Sequence, residues 1–142
     1  MDRNVHFLNT IYQDANDSSR SLDALLPRTR DTLIAGEMQR QLSEYRAISR
    51  QAERLIESYN ADPQEKHPAA EAASRAGKQL SVALDDSHAR IAELLIKEGT
   101  QGVSNLTRTI KEFALCDKPV ADLGQKMLEA RQQHIEQLKR YL

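Results

Sequence analysis

Four histidines, a single cysteine and twenty-one carboxylates are the side chains from which this 142-residue chain could build a reactive site. At 100° per residue, His134 falls inside the apolar stripe of the last helical segment, and Arg131 falls near the centre of the same stripe. Gln41 and Tyr45 are central on an earlier segment, and Ser18 and Ser19 lie between the two apolar ends of the first. Gly99 and Gly102 occupy the inner face of the segment before the last, with Asn105 and Thr109 to one side. These positions matter because sites in helical bundles are made from side chains projecting off facing helices. The chemistry they could support is of two kinds. His134 with Glu98 or Glu44 could ligate iron, manganese or zinc, since imidazole and carboxylate suit those ions. Arg131 with Tyr45 and His134 could hold a small anion, because a guanidinium pairs bidentately with a carboxylate. Against both stands a structural reading, a buried hydrogen-bonded layer that fixes register, with glycines letting a bulky neighbour such as Tyr45 or Arg131 approach the backbone.

The spacing of candidate ligands bears on the metal reading. A carboxylate-bridged di-iron site takes a Glu-x-x-His pair from each of two helices, because i, i+3 puts both ligands on one face a turn apart. The chain contains no such pair. Glu129 with His134 and His88 with Glu93 are its nearest approximations, five residues apart and therefore splayed around the helix. Glu98, Glu44 and Glu37 lie at the margins of their stripes, as solvated flanking charges do. The remaining candidates are weaker. His6 and His67 fall near an end and in a loop, and His88 is expected on the core side at the frayed start of its helix, in a structural role. Cys116 sits in a turn with no adjacent histidine or basic pair to lower its thiol pKa. Phosphate loops and nucleophile elbows are absent, and the chain is expected to be non-enzymatic.

The elements that must position these residues are helices. The prolines at 27, 63, 68 and 119 separate stretches rich in Ala, Leu, Gln, Glu, Lys and Arg, and no sustained period-two alternation marks a strand. Leu8, Ile11, Ala15, Leu22 and Leu26 form one face over residues 3–26. Ile34, Met38, Leu42, Tyr45, Ile48, Ala52, Ile56 and Tyr59 form a narrow stripe over 31–59, with Asp31 as N-cap. An alanine-rich segment over 68–84 has a weaker apolar side. Residues 87–115 carry Ile91, Leu95, Leu106, Ile110 and Phe113, with Asp85-Asp86-Ser87 as the cap and break before them. Residues 118–141 begin with Asp117 as N-cap and Pro119 in the first turn, and carry Val120, Leu123, Met127, His134 and Leu138. Four such stripes satisfy one another around a shared core, and the short linkers at 27–30 and 116–117 imply antiparallel neighbours. The expected fold is all-α, one domain over 1–142: an antiparallel four-helix bundle with an additional short helix at about 68–84.

Twenty basic against twenty-one acidic residues, a net charge of -1, lack the electrostatic footprint of a nucleic-acid binder. Membrane spanning is not expected either, since the best apolar run, Ile91 to Ile96, is interrupted by Glu93. A start of Met-Asp-Arg-Asn lacks the basic-then-apolar layout of a signal peptide, so the expected location is cytoplasmic. The small apolar surface of Ala69, Ala70, Ala72 and Ala73 suits close helix contact, which points to a homo-oligomer or another protein partner.

Several stretches also carry a family likeness. Leu8-Asn-Thr-Ile-Tyr12, Leu42-Ser-Glu-Tyr45, Ser87-His-Ala-Arg-Ile-Ala-Glu-Leu-Leu-Ile96 and Glu98-Gly-Thr-Gln-Gly102 resemble the ferritin-like four-helix bundles. More narrowly, they are similar to a group of small bacterial bundle proteins of unassigned function. The resemblance implies a ferritin-like fold and, in metal-bearing members, iron or oxygen chemistry. The missing Glu-x-x-His pairs separate this chain from those members, so the expectation is a structural or interaction role without cofactor. The alternatives are a metal or redox protein with a non-standard ligand set (His134, Glu98, Glu44) and a binder of small anions.

Overall fold

The computed structural model describes residues 2–65, 82 and 85–142, and these form four long helices around one core. Helix α1 spans Arg3–Leu25 and opens with the Asp2 carboxylate accepting from the Asn4 N–H at 2.6 Å. A short 3-10 turn at Leu26–Arg28, with Pro27 inside it, separates α1 from α2, Thr32–Ser58. Asp31 caps α2 as its sequence position implies, accepting from the N–H groups of Leu33 and Ile34. Beyond Tyr59 the backbone turns through Asn60 at φ 58, the left-handed region that asparagine tolerates at a helix end. Helix α3, His88–Glu112, starts on the Ser87 hydroxyl, which accepts from the Arg90 N–H. Helix α4, Lys118–Leu138, runs into a last 3-10 turn at Lys139–Tyr141.

Asp117 stands at the N-cap position of α4 but makes no side-chain capping bond. Its carboxylate instead accepts from the Tyr59 hydroxyl at 2.5 Å, and its N–H donates to Asn4 Oδ1. One residue thus joins the starts of α1 and α4 to the end of α2. The expected helix at 68–84, the alanines at 69, 70, 72 and 73, and the loop histidine at 67 lie outside the described residues; Val82 is described and fully buried.

Contacts fix how the helices pair. Arg46 bonds Asp23 and Ser49 bonds Asn16, so α2 descends as α1 ascends. Along α2 and α4 the pairs are His134 with Glu44, Lys126 with Gln51 and Tyr59 with Asp117, again in opposite directions. On α3, Gly99 faces Ile135 and Gly102 faces Arg131, while His88 Nδ1 lies 2.7 Å from the Tyr141 carbonyl. Helices α1 and α4 run the same way, since Phe7 meets Gly124 and Asp14 meets Arg131.

Most apolar stripe residues are buried as expected, with Leu26, Tyr59, Ile110 and Phe113 only partly covered. Helix α1 is buried on a wider front than one stripe, adding Val5, Phe7, Tyr12, Ala24 and Leu25. The chain after α2 also covers it: Gln64 N–H donates to Asn9, Gln13 donates to the Gln64 carbonyl, and Glu65 accepts from Tyr12 and Arg20. Gly124 exists for Phe7, because a Cβ there would sit 2.6 Å from the ring's Cζ. His88 is exposed rather than facing the core. Among the described residues no helix is long and apolar enough to cross a membrane.

Candidate functional site

Helical phase brings one polar group after another to the middle of the core. Ser18, Gln41, Tyr45, Arg131 and His134 are all buried, with Arg131 4% and His134 2% exposed. Together with Glu98 and Gly99 they line a cavity that leaves about 20 Å³ for the centre of a water-sized molecule. Arg131 and His134 are three residues apart on α4 and therefore share a face one turn apart.

Arg131 is held by α1. Its Nε donates to Asp14 Oδ2 at 3.0 Å, Nη2 donates to Asp14 Oδ1, and Nη2 also reaches Ser18 Oγ at 2.8 Å. The guanidinium passes over the Tyr45 ring, 5.6 Å from its centroid, close enough for cation–π attraction. It also rests against α3, because a Cβ on Gly102 would lie 2.5 Å from Arg131 Cζ. Gly102 is therefore the glycine that admits the arginine, while Gly99 admits Ile135, whose Cγ1 would be 3.0 Å from an added Cβ. Burial opposes the charge on Arg131, but the Asp14 carboxylate more than offsets it and the pKa is raised.

His134 is held from α2. Its Nε2 lies 2.5 Å from Glu44 Oε2, and its ring meets Tyr45 edge-on, with centroids 4.7 Å apart at 88°. A carboxylate accepts, so the proton between them sits on Nε2. The other nitrogen, Nδ1, is buried with no partner among the described residues. Burial pulls the imidazole pKa down and outweighs the hydrogen bond to Glu44, so the ring is neutral near pH 7. Outside it, Arg40 bridges Glu37, Glu44 and Gln137, and Gln41 donates to Glu37. Burial raises the Tyr45 phenol pKa far above its ordinary value, keeping the hydroxyl protonated.

Not every residue singled out from sequence joins this layer. Ser19 is buried but turns its hydroxyl back to the Ala15 carbonyl at 2.9 Å, a bond within its own helix. Glu44 and Glu98 do not converge on His134. Glu44 holds Nε2 from outside the cavity wall, while Glu98 lines the cavity and accepts from Ser21 at 2.7 Å. Among the described residues no three His, Cys, Asp or Glu side chains gather as a metal would need. Asp14 lies off the apolar stripe of α1. Its signal is its place four residues before Ser18, on the same side of α1, combined with the need of any buried arginine for a carboxylate. Burial raises the Cys116 thiol pKa, the opposite of activation. No protein family, characterised protein or solved structure matches this chain.

Proposed function

We propose that this chain is a non-enzymatic helical bundle, ferritin-like in its antiparallel arrangement, with a structural or interaction role and a metal-free interior. One observation carries the reading: the strongest interior charge, Arg131, is paired with Asp14 and Ser18, and Nε2 of the buried histidine is paired with Glu44. An anion at Arg131 would meet the Asp14 carboxylate already paired there and the Glu98 carboxylate on the neighbouring wall. A metal at His134 Nε2 would have to break the Glu44 bond and still lack a third donor from Glu98, which lines the cavity that Glu44 stands outside. Such a layer serves to fix how four helices register, and the activity of the protein then resides in what its surface binds. Self-association is the first interaction to test.

Size-exclusion chromatography with light scattering, over a range of concentrations, reads self-association directly. A strict monomer at the highest concentration removes the homo-oligomer from the reading. Elemental analysis of untagged protein grown with iron, manganese and zinc, and never exposed to chelator, tests the interior. The proposal expects no stoichiometric metal. A metal bound near one per chain and lost in His134→Ala would replace it with metal or oxygen chemistry.

A further inference from the structure

The seam between α2 and α4 opens toward solvent at the end of the bundle where α2 finishes and α4 begins. A cleft of about 380 Å³ lies there, with Leu55, Pro119 and Leu123 as its apolar lining and Arg54, Asp122 and Lys126 as its charged one. Two of these charges are left over. Asp122 is paired with Lys118 at 2.7 Å, whereas Lys126 bonds the uncharged Gln51 and the exposed Arg54 has no ionic partner among the described residues. The cleft therefore combines apolar walls with a net positive charge. The same end of the molecule carries a side chain with the complementary need. Leu115, in the turn between α3 and α4 and four residues before Pro119, is 82% exposed, more than any other large apolar residue among those described. The stretch around it, Glu112-Phe-Ala-Leu-Cys-Asp117, contains two acids and no base. The exposed Glu112 carboxylate has no partner among the described residues, and Asp117 accepts from the uncharged Tyr59 hydroxyl.

We infer that a second copy of this chain covers the cleft: Leu115 of each protomer enters the other's cleft and brings Glu112 to Arg54. A lone exposed leucine needs no explanation by itself, and neither does a lone cleft. What joins them is charge: an acidic turn bearing an apolar tip complements an apolar cleft bearing two uncompensated cations. Both features lie at one end of the protomer, so a two-fold axis between them makes the two contacts at once and the assembly closes as a dimer. One leucine and one ion pair from each side make a small contact, and the dimer is therefore reversible and concentration-dependent rather than obligate. This inference rests on the self-association named above and assigns the surface that performs it.

The test is sedimentation equilibrium of the full chain over a range of concentrations, with circular dichroism to confirm that each variant stays helical. Wild type should show a monomer–dimer equilibrium, and Leu115→Asp should weaken it at least about tenfold. Leu33→Asp and Leu142→Asp change the other two strongly exposed leucines, at the opposite end where α2 begins and α4 finishes, and should leave it unchanged. Arg54→Glu and Glu112→Arg should each weaken the dimer. An equimolar mixture of those two variants should associate as wild type does, because every cleft then faces a turn of opposite charge. A strict monomer would overturn this inference together with the self-association it rests on. A dimer indifferent to Leu115→Asp, or one lost in Leu33→Asp or Leu142→Asp, would overturn the inference alone and leave self-association standing. The same holds for charge variants that do not recover on mixing and for an assembly larger than a dimer.

Discussion

Arg131 and His134 project from neighbouring turns of one helix into one layer, yet the protein satisfies them in opposite ways. Arg131 is permanently charged and therefore takes several acceptors: both oxygens of Asp14 and the Ser18 hydroxyl, all from α1. His134 can shed its charge on burial, and it needs a single strong partner, Glu44 from α2. The difference teaches where the energy of the layer lies. The arginine half is an all-or-none ion pair whose disruption strands a charge. The histidine half is adjustable, because a neutral ring tolerates a missing partner at far smaller cost.

The sharpest way to break the arginine half is to remove its carboxylate. Asp14→Ala leaves a guanidinium buried beneath Tyr45, and should destabilise the protein by about 3–5 kcal/mol in urea unfolding. A loss under about 1 kcal/mol would mean that water already shares the charge. Next comes Gly102→Ala. The added Cβ would press 2.5 Å from Arg131 Cζ, and the guanidinium cannot retreat without leaving Asp14. The expected cost is about 1–3 kcal/mol, falling sharply when the same change is made in Arg131→Met. Equal cost in both backgrounds would show that the glycine serves something else.

The histidine half is sharpened by pH. The folded pKa of His134 is lowered, so the unfolded chain binds the extra proton first as pH falls. The stability tied to the neutral ring is fully present above the ordinary imidazole value of about 6.5 and is lost as pH falls below it. Glu44 and Glu37 oppose the lowering and Arg40 adds to it, all three from α2. Unfolding free energies compared between about pH 7.5 and 5.5 should fall more steeply in wild type than in His134→Gln. Matching slopes would place the titration elsewhere. Smallest in size is Gly36→Ala, where nothing lies within 4 Å of an added Cβ on an exposed turn of α2. It should stabilise by about 0.5–1 kcal/mol, the reverse of Gly102→Ala, through helix propensity alone.

Much of this layer is legible in the sequence alone, because helical phase is a one-dimensional property. Counting at 100° per residue places Gln41, Tyr45, Arg131 and His134 among the apolar positions of their helices, and all four are buried. Caps written in local chemistry were equally readable at Asp31 and Ser87. What phase cannot supply is the partner. Asp14 borders the buried front of α1, and only the packing of α4 against α1 turns it toward Arg131. Glu98 and Glu44 look alike on helical margins, and only the placement of His134 between helices separates the residue holding its Nε2 from the one lining the cavity. Asp117 shows the same limit at a helix end, where tertiary contact with Tyr59 takes a carboxylate suited to capping and pushes the phenol pKa up to about 12.

The most direct test of a structural layer built on ion pairing is a double-mutant cycle on its strongest pair. Urea unfolding of wild type, Asp14→Ala, Arg131→Met and the double variant gives the coupling between the two side chains. The double variant should be markedly more stable than the sum of the single losses predicts, with a coupling of about 1–3 kcal/mol. Additive losses would contradict the account, because they would mean that Arg131 and Asp14 do not depend on each other inside the protein.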